Sequence, residues 1–403
     1  MTAAWLSERR ADARAALEVT PLPTLKDENW RFTSLRGIDF SAFTPLDGAP
    51  GLPAGLLLAD ADVSGRLVQR GSSVVHVELD PAVAATGVRL DVLEEQDGLP
   101  IVAEHLGTVM PLRDRFLAEN AATWTGGALV YVPAGVEVPK PLHVAVEIPE
   151  SSASTTWRML VVVEAGAKLT LVEEYAPGAP GYLNGAVELV LGEGAIVEYV
   201  TAQNLHLESY HFTSARAEIA KDATLRWASL ALGGKLGKAR QEARLNGPGS
   251  TVQVTGVSVL AGSQHLDLDT SQEHAAPHAV SNLYYKGALR DRSRSVWRGI
   301  IKVDEGAQKT DAFQENRNLL LSPRAHADSI PGLEIAANDV RCTHAATISK
   351  VDQELLFFLM ARGLPRADAE RMLVDGFFAD ALVRIEDVSV RELFAREVAA
   401  RIR

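Results

Sequence analysis

Between Trp124 and Cys342 the chain runs in short stretches of Val, Leu, Ile and Thr with alternating polarity, each interrupted by Gly, Pro, Asn or Asp. A period of two puts successive side chains on opposite faces of a strand, so this stretch predicts strands and no helix. A small turn residue precedes an alternating run at Gly166, Gly194, Asp222 and Gly249, at spacings of 28, 28 and 27 residues. So even a spacing of strand-only units points to the coils of a β-solenoid, with a plain β-sandwich as the competing architecture.

The flanks read differently. Ala3 to Val19 carries apolar residues at Trp5, Leu6, Ala13 and Leu17, the stripe of an amphipathic helix that Pro21 and Pro23 end. The next stretch, to about residue 70, is rich in Gly, Pro and Leu with no firm period and predicts partly irregular chain. A short alternating run follows at Val74 to Leu79, and Ile101 to Asn120 reads as helix. Beyond Cys342 the helical period returns. Ser349-Lys350-Val351-Asp352 reads as an acidic capping box, and Ser389 with Glu392 as a second box. Val351, Leu355, Leu356, Leu359 and Met360 form a stripe that Gly363 ends; Pro365 opens a second helix with Met372 and Leu373; Leu393, Phe394, Val398 and Ile402 line a third. The chain thus divides into a helical and mixed region at 1–123, a strand core at 124–345 and a helical domain at 346–403.

Composition narrows the partners. With 403 residues, 47% hydrophobic and 23% charged, most of the chain should fold, and a formal charge of −12 argues against phosphate-backbone binding, which needs a basic face. A single cysteine excludes an intramolecular disulfide, and Met1 to Arg10 has neither a basic nor an apolar leader pattern, which fits a reducing cytosol. The most apolar runs, such as Leu160 to Val163 and Leu355 to Met360, are far shorter than the roughly 20 residues that span a bilayer. A soluble, cytoplasmic protein is expected.

An ordered series of motifs carries a stronger signal. It comprises Trp297-Arg298-Gly299, Gln308 with Thr310, Glu315-Asn316-Arg317-Asn318-Leu319-Leu320-Leu321-Ser322, Ile330-Pro331-Gly332-Leu333-Glu334-Ile335, Cys342-Thr343-His344-Ala345-Ala346-Thr347 and Leu356-Phe357-Phe358-Leu359-Met360-Ala361-Arg362-Gly363. Upstream, Trp30-Arg31-Phe32-Thr33, Asn120-Ala121 and Val132-Pro133-Ala134-Gly135 add weaker matches. Together these resemble the SufB/SufD family of iron–sulfur cluster assembly scaffold proteins. Chain length, the lack of an N-terminal cysteine cluster, and Ser322-Pro323-Arg324-Ala325 where a SufB-type chain usually carries a cysteine favour the SufD branch. Thr343 and Ala345 depart from the usual Ser and Gly, and His326 is foreign to the pattern.

The resemblance implies a mainly β fold, a right-handed parallel β-helix core with N-terminal and C-terminal α-helical regions. It also implies a non-catalytic scaffold that pairs with a SufB paralogue through the end of the β-helix, docks the ATPase SufC through its C-terminal helices, and works in a complex able to hold reduced FAD. Which residues would bind FAD is left open by the pattern.

Cys342 and His344 lie two apart, so on a strand both emerge on one face and could share a ligand. Thiolate and imidazole suit iron, yet a cluster needs about four protein donors, so the rest would come from another chain. The bland alternative is a small buried Cys and a structural His. Of the helical stripes, most residues should pack within the tail, leaving the outer face around Leu356, Phe357, Phe358, Arg362 and Phe377 for the ATPase.

Other patterns are weaker. Gly233-Gly234-Lys235-Leu236-Gly237-Lys238 lacks the spacing and the Ser/Thr of a phosphate loop and reads as a turn, and Pro277 argues against a helical metal pair of His274 and His278. Asp267, Asp269, Asp291, Arg292 and Arg294 could line a groove if the solenoid were a polysaccharide lyase, a rival reading. A homodimer or SufB-like scaffold holding its own cluster, with Cys342 and His344 from two copies, is the other alternative.

Overall fold

The structure, a computed structural model, describes residues 2–402. Its N-terminal part contains α1 (Ala4–Val19), β1 (Thr44–Pro45), β2 (Gly65–Arg70), β3 (Ser73–Leu79), α2 (Pro81–Ala84), β4 (Arg89–Val92), α3 (Pro100–His105) and α4 (Arg115–Thr123). Sixteen strands follow: β5 (Ala128–Val132), β6 (Leu142–Glu147), β7 (Ala153–Val163), β8 (Lys168–Tyr175), β9 (Tyr182–Leu191), β10 (Ile196–Gln203), β11 (Tyr210–Ile219), β12 (Thr224–Ala231), β13 (Leu236–Leu245), β14 (Thr251–Leu260), β15 (His265–His274), β16 (Val280–Leu289), β17 (Arg294–Val303), β18 (Asp311–Leu320), β19 (His326–Ile335) and β20 (Arg341–Lys350). The chain ends with α5 (Gln353–Met360), α6 (Arg366–Leu382) and α7 (Val388–Arg401).

From β5 onward odd strands join one sheet and even strands the other, each pairing in parallel with the strand two places on. This is the parallel β-solenoid that the spacing of turn residues predicts. The physical origin of that spacing is visible: Gly166, Gly194, Asp222 and Gly249 all take left-handed backbone, with φ of 66, 67, 55 and 74°. Glycine meets no penalty there, and Asp is among the side chains that tolerate it. Inward-facing Trp157, Trp227 and Trp297 are fully buried in the lumen, and each such burial stabilises by a few kcal/mol.

At its N-terminal end the solenoid is closed. β3 runs antiparallel to β2, and β4 antiparallel to β5, while Val83 of α2 with Val88 and Leu90 joins the lumen core. The supposedly irregular stretch before residue 70 therefore contains strand β2, paired in parallel with β6. The expected helix from Ile101 to Asn120 is in fact two, α3 and α4, because Gly107 is left-handed (φ 77°) and the amides of Gly107, Val109 and Met110 turn to the buried carboxylate of Glu188. The Trp30 segment lies across the odd sheet: Trp30 stacks on Phe116 at 5.3 Å, and Thr33 bonds His265 (2.9 Å) and buried Asp267.

The tail differs from its expected form in two ways. Neither capping box forms. Ser349 and Lys350 still belong to β20, and the α5 cap is Asp352, which accepts from the amides of Glu354 and Leu355. The α7 cap is Asp387, whose side chain accepts from the Val390 amide. Nor does the tail pack mainly on itself. Val374, Phe378, Leu393, Phe394 and Val398 share one core with Val200, Ala228, Leu230, Val257 and Leu319 on the outer face of the even sheet.

Candidate functional site

The last coil, β19 and β20, is the place where the solenoid stops. β19 pairs with β17 and β20 with β18, and among the described residues neither has a strand on its other side. Residues that would face the lumen in an interior coil are therefore uncovered. Leu333, Ile335 and Ile348 are 37, 41 and 46% exposed, whereas their counterparts one coil earlier, Ile301 and Val303, are at 0 and 1%. Unpaired edge strands with exposed apolar side chains are a template for a further strand, and proteins that do not use such an edge normally blunt it.

Cys342 and His344 lie on this rung. In the register of β20, Cys342 stands over Ala312 and His344 over Gln314, both fully buried, so the two candidate donors share the lumen-side face as their spacing predicts. Cys342 is half-buried in a small apolar cluster with Ile301, Ala312 and Val340. Burial, aided by the Asp311 carboxylate, pushes its thiol pKa up, so the free subunit holds a protonated, subdued sulfur. His344 is exposed. Among the described residues no group of three or more His, Cys, Asp and Glu side chains is arranged to hold a metal ion. Two donors at an open edge are half of a coordination sphere at most.

The tail candidates separate. Leu356 is 1% exposed and anchors α5 instead of facing outward; Phe377 is half-buried against Lys286. Phe357 and Phe358 are 72 and 49% exposed, with the Arg362 guanidinium 3.3 Å from the Phe358 ring centroid. Leu355 and Met360 of the same helix and Met372 of α6 are also exposed, though the sequence reading places none of the three on the outer face. The terminal-rung residues Leu333, Ile335 and Ile348 were missed too, although their signal was present: the alternation of a strand pair with no further repeat after it.

The other sequence patterns do not assemble a site. Asp267 and Asp269 are both ion-paired to Lys238, Arg294 pairs with Asp328, and Asp291 occupies a left-handed turn, so no acidic groove forms. Gly233 and Gly234 sit in the turn before β13; His274 points into the lumen and bonds Ser281 at 2.8 Å. A cavity of about 580 Å³ between the Thr20–Pro23 segment and the odd sheet is lined by seven carboxylates against five cations and has no glycine-rich phosphate cradle. It does not fit a dinucleotide such as FAD. No described helix is long and apolar enough to cross a membrane.

Comparison with known proteins agrees with this geometry. Residues 146–377 match the family model described as SUF system FeS cluster assembly, SufBD core domain. The chain is 28% identical to the iron–sulfur cluster assembly protein SufD of Escherichia coli over 95% of this chain and 90% of that protein. An iron–sulfur cluster assembly SufBD family protein of Mycobacterium tuberculosis is 30% identical over 92% of this chain and 87% of its own length. SufB of Bacillus subtilis is 29% identical over 78% of this chain and 69% of its own length. A solenoid of this register, ending in an open rung, with a core-domain match over more than half its length, belongs to the SufB/SufD family of iron–sulfur cluster assembly proteins.

Proposed function

We propose that this chain is a SufD-type, non-catalytic scaffold subunit that pairs end to end with a SufB-type chain and holds a cluster between them. The observation that carries the reading is the open terminal rung, where Cys342 and His344 lie beside exposed Leu333, Ile335 and Ile348 on unpaired edges. A second solenoid end would satisfy the backbone groups, cover the apolar residues and supply the missing donors in one step. The SufD branch is favoured because the chain spans 90% of the E. coli SufD but 69% of the B. subtilis SufB. The ATPase SufC would dock on the exposed α5 surface around Phe357 and Phe358, and any ATP hydrolysis belongs to it. Pairing of two copies of this chain through the same edge is the second reading, since an isologous contact would also bring four donors together.

The test is co-purification with the SufB-type and SufC-type partners. His344→Ala should lower iron and sulfide content at least several-fold while the three proteins still co-elute. Unchanged iron and sulfide would remove His344 from the cluster site, and a homodimer that excludes the paralogue would replace the first reading with the second.

A further inference from the structure

The lumen directly beneath the open rung is polar. Gln314, Asn316 and Asn318 of β18 are 0, 4 and 1% exposed and stand in register under His344, Ala346 and Ile348 of β20. The Gln314 amide nitrogen reaches from the even sheet across to the odd one, where it donates to the Gly299 carbonyl of β17 (3.2 Å) and to the Gly332 carbonyl of β19 (3.1 Å). Asn318 donates to the Ser329 hydroxyl of β19 at 3.3 Å, and that hydroxyl donates to the Asn316 side-chain oxygen. Three side chains of β18 thus hold β19, the strand opposite, from inside the lumen.

Interior coils also carry polar lumen pairs, such as Trp157 with Glu173, but those coils are fixed by ladders on both sides. Among the described residues the last coil has a ladder on one side only, and a strand edge held so weakly is prone to slip in register. A partner that joins end to end must meet β19 and β20 at once, so the spacing and register of the two edges have to match its own. The ladder fixes β20 to β18, and the cross-lumen bonds fix β19 to the same strand. Apolar side chains would fill that space without direction, whereas a hydrogen bond sets distance and angle.

We propose that Gln314, Asn316 and Asn318 are positioning residues that preset β19 against β20, so that a partner solenoid meets a double edge already in place. This rests on the reading that the rung is a pairing edge. Amide exchange in the free chain tests the brace with no partner present. Gln314→Met keeps the length of the side chain and removes both donors. It should speed exchange of the β19 amides that bond β17 about tenfold, with the β17 amides that bond β15 unchanged and the melting temperature little moved. Ser329→Ala, a milder change, should act in the same direction and stands in should Gln314→Met fail to fold. Equal β19 rates in the folded variants would overturn the brace. Affinity for the SufB-type partner should fall about tenfold in Gln314→Met, because an edge not set in advance must be ordered on binding. Undiminished affinity would overturn the role in pairing. If the wild type itself does not pair, the pairing reading fails and the proposal falls with it, whereas equal exchange rates in a chain that does pair overturn the brace alone.

Discussion

The two ends of the solenoid are built from the same strands and finished in opposite ways. At the N-terminal end, antiparallel β3 and β4 and the apolar residues of α2 close the first coil, and Leu67, Leu90 and Val130 are fully or almost fully buried. At the C-terminal end no described residue covers β19 and β20, and Leu333, Ile335 and Ile348 are left in contact with solvent. A helical tail comes directly after β20, yet it packs on the outer face of the even sheet instead of across the opening. On the proposed reading, this uncovered end is where a partner solenoid binds.

The sharpest way to break this contrast is to spoil the open end alone. Ile348→Asp places a carboxylate on a face that a partner must dehydrate, and a buried unpaired charge costs several kcal/mol. Partner pairing should fall by two orders of magnitude or more, measured by native mass or size-exclusion, because every 1.4 kcal/mol is about tenfold. The free subunit's melting temperature should move little, since Ile348 is 46% exposed.

A smaller effect separates the closed body from the rung. Burial depresses the pKa of His211, His265 and His274 to about 4 from an ordinary 6.5. A depressed folded pKa means stability that is present above 6.5 and is lost as the pH falls toward 4, roughly 3 kcal/mol at most for each group. Glu198 works in the opposite sense: burial, then the nearby Asp387 charge, raises its pKa to about 6, so its contribution is lost as pH rises from 4.5 through 6. Denaturant unfolding between pH 7 and 4 should therefore show an acid-side loss that is reduced in the His211→Gln, His274→Gln double variant. An identical slope would mean these imidazoles are not held neutral by the fold.

Much of this was legible in the sequence, for reasons that can be named. The coil period could be read because each turn needs a left-handed residue, and Gly166, Gly194, Asp222 and Gly249 supply it. Cys342 and His344 could be placed on one face because a strand's period is two. The first capping box does not form because pairing of β20 with β18 continues through Lys350, and the second because Asp387 caps α7 two residues earlier. Docking of the tail was hidden for a different reason. Its partner residues, Val200, Ala228 and Leu230, share the outer faces of their strands with polar residues such as Glu198 and Arg226, so the alternation marks no outer face as covered. The end of the strand repeat after Lys350 marks the last coil, but its exposure depends on neighbours in space, whereas the sequence orders only neighbours along the chain.

The central claim is that the terminal rung is a pairing edge. Amide exchange of β19 and β20, measured in the free subunit and in the complex with the SufB-type partner, tests it directly. The outward-pointing amides of this rung should exchange quickly when free and become protected on pairing, with β3 and β4 unchanged at the closed end. A stable complex in which the β19 and β20 amides exchange as fast as in the free chain would contradict it.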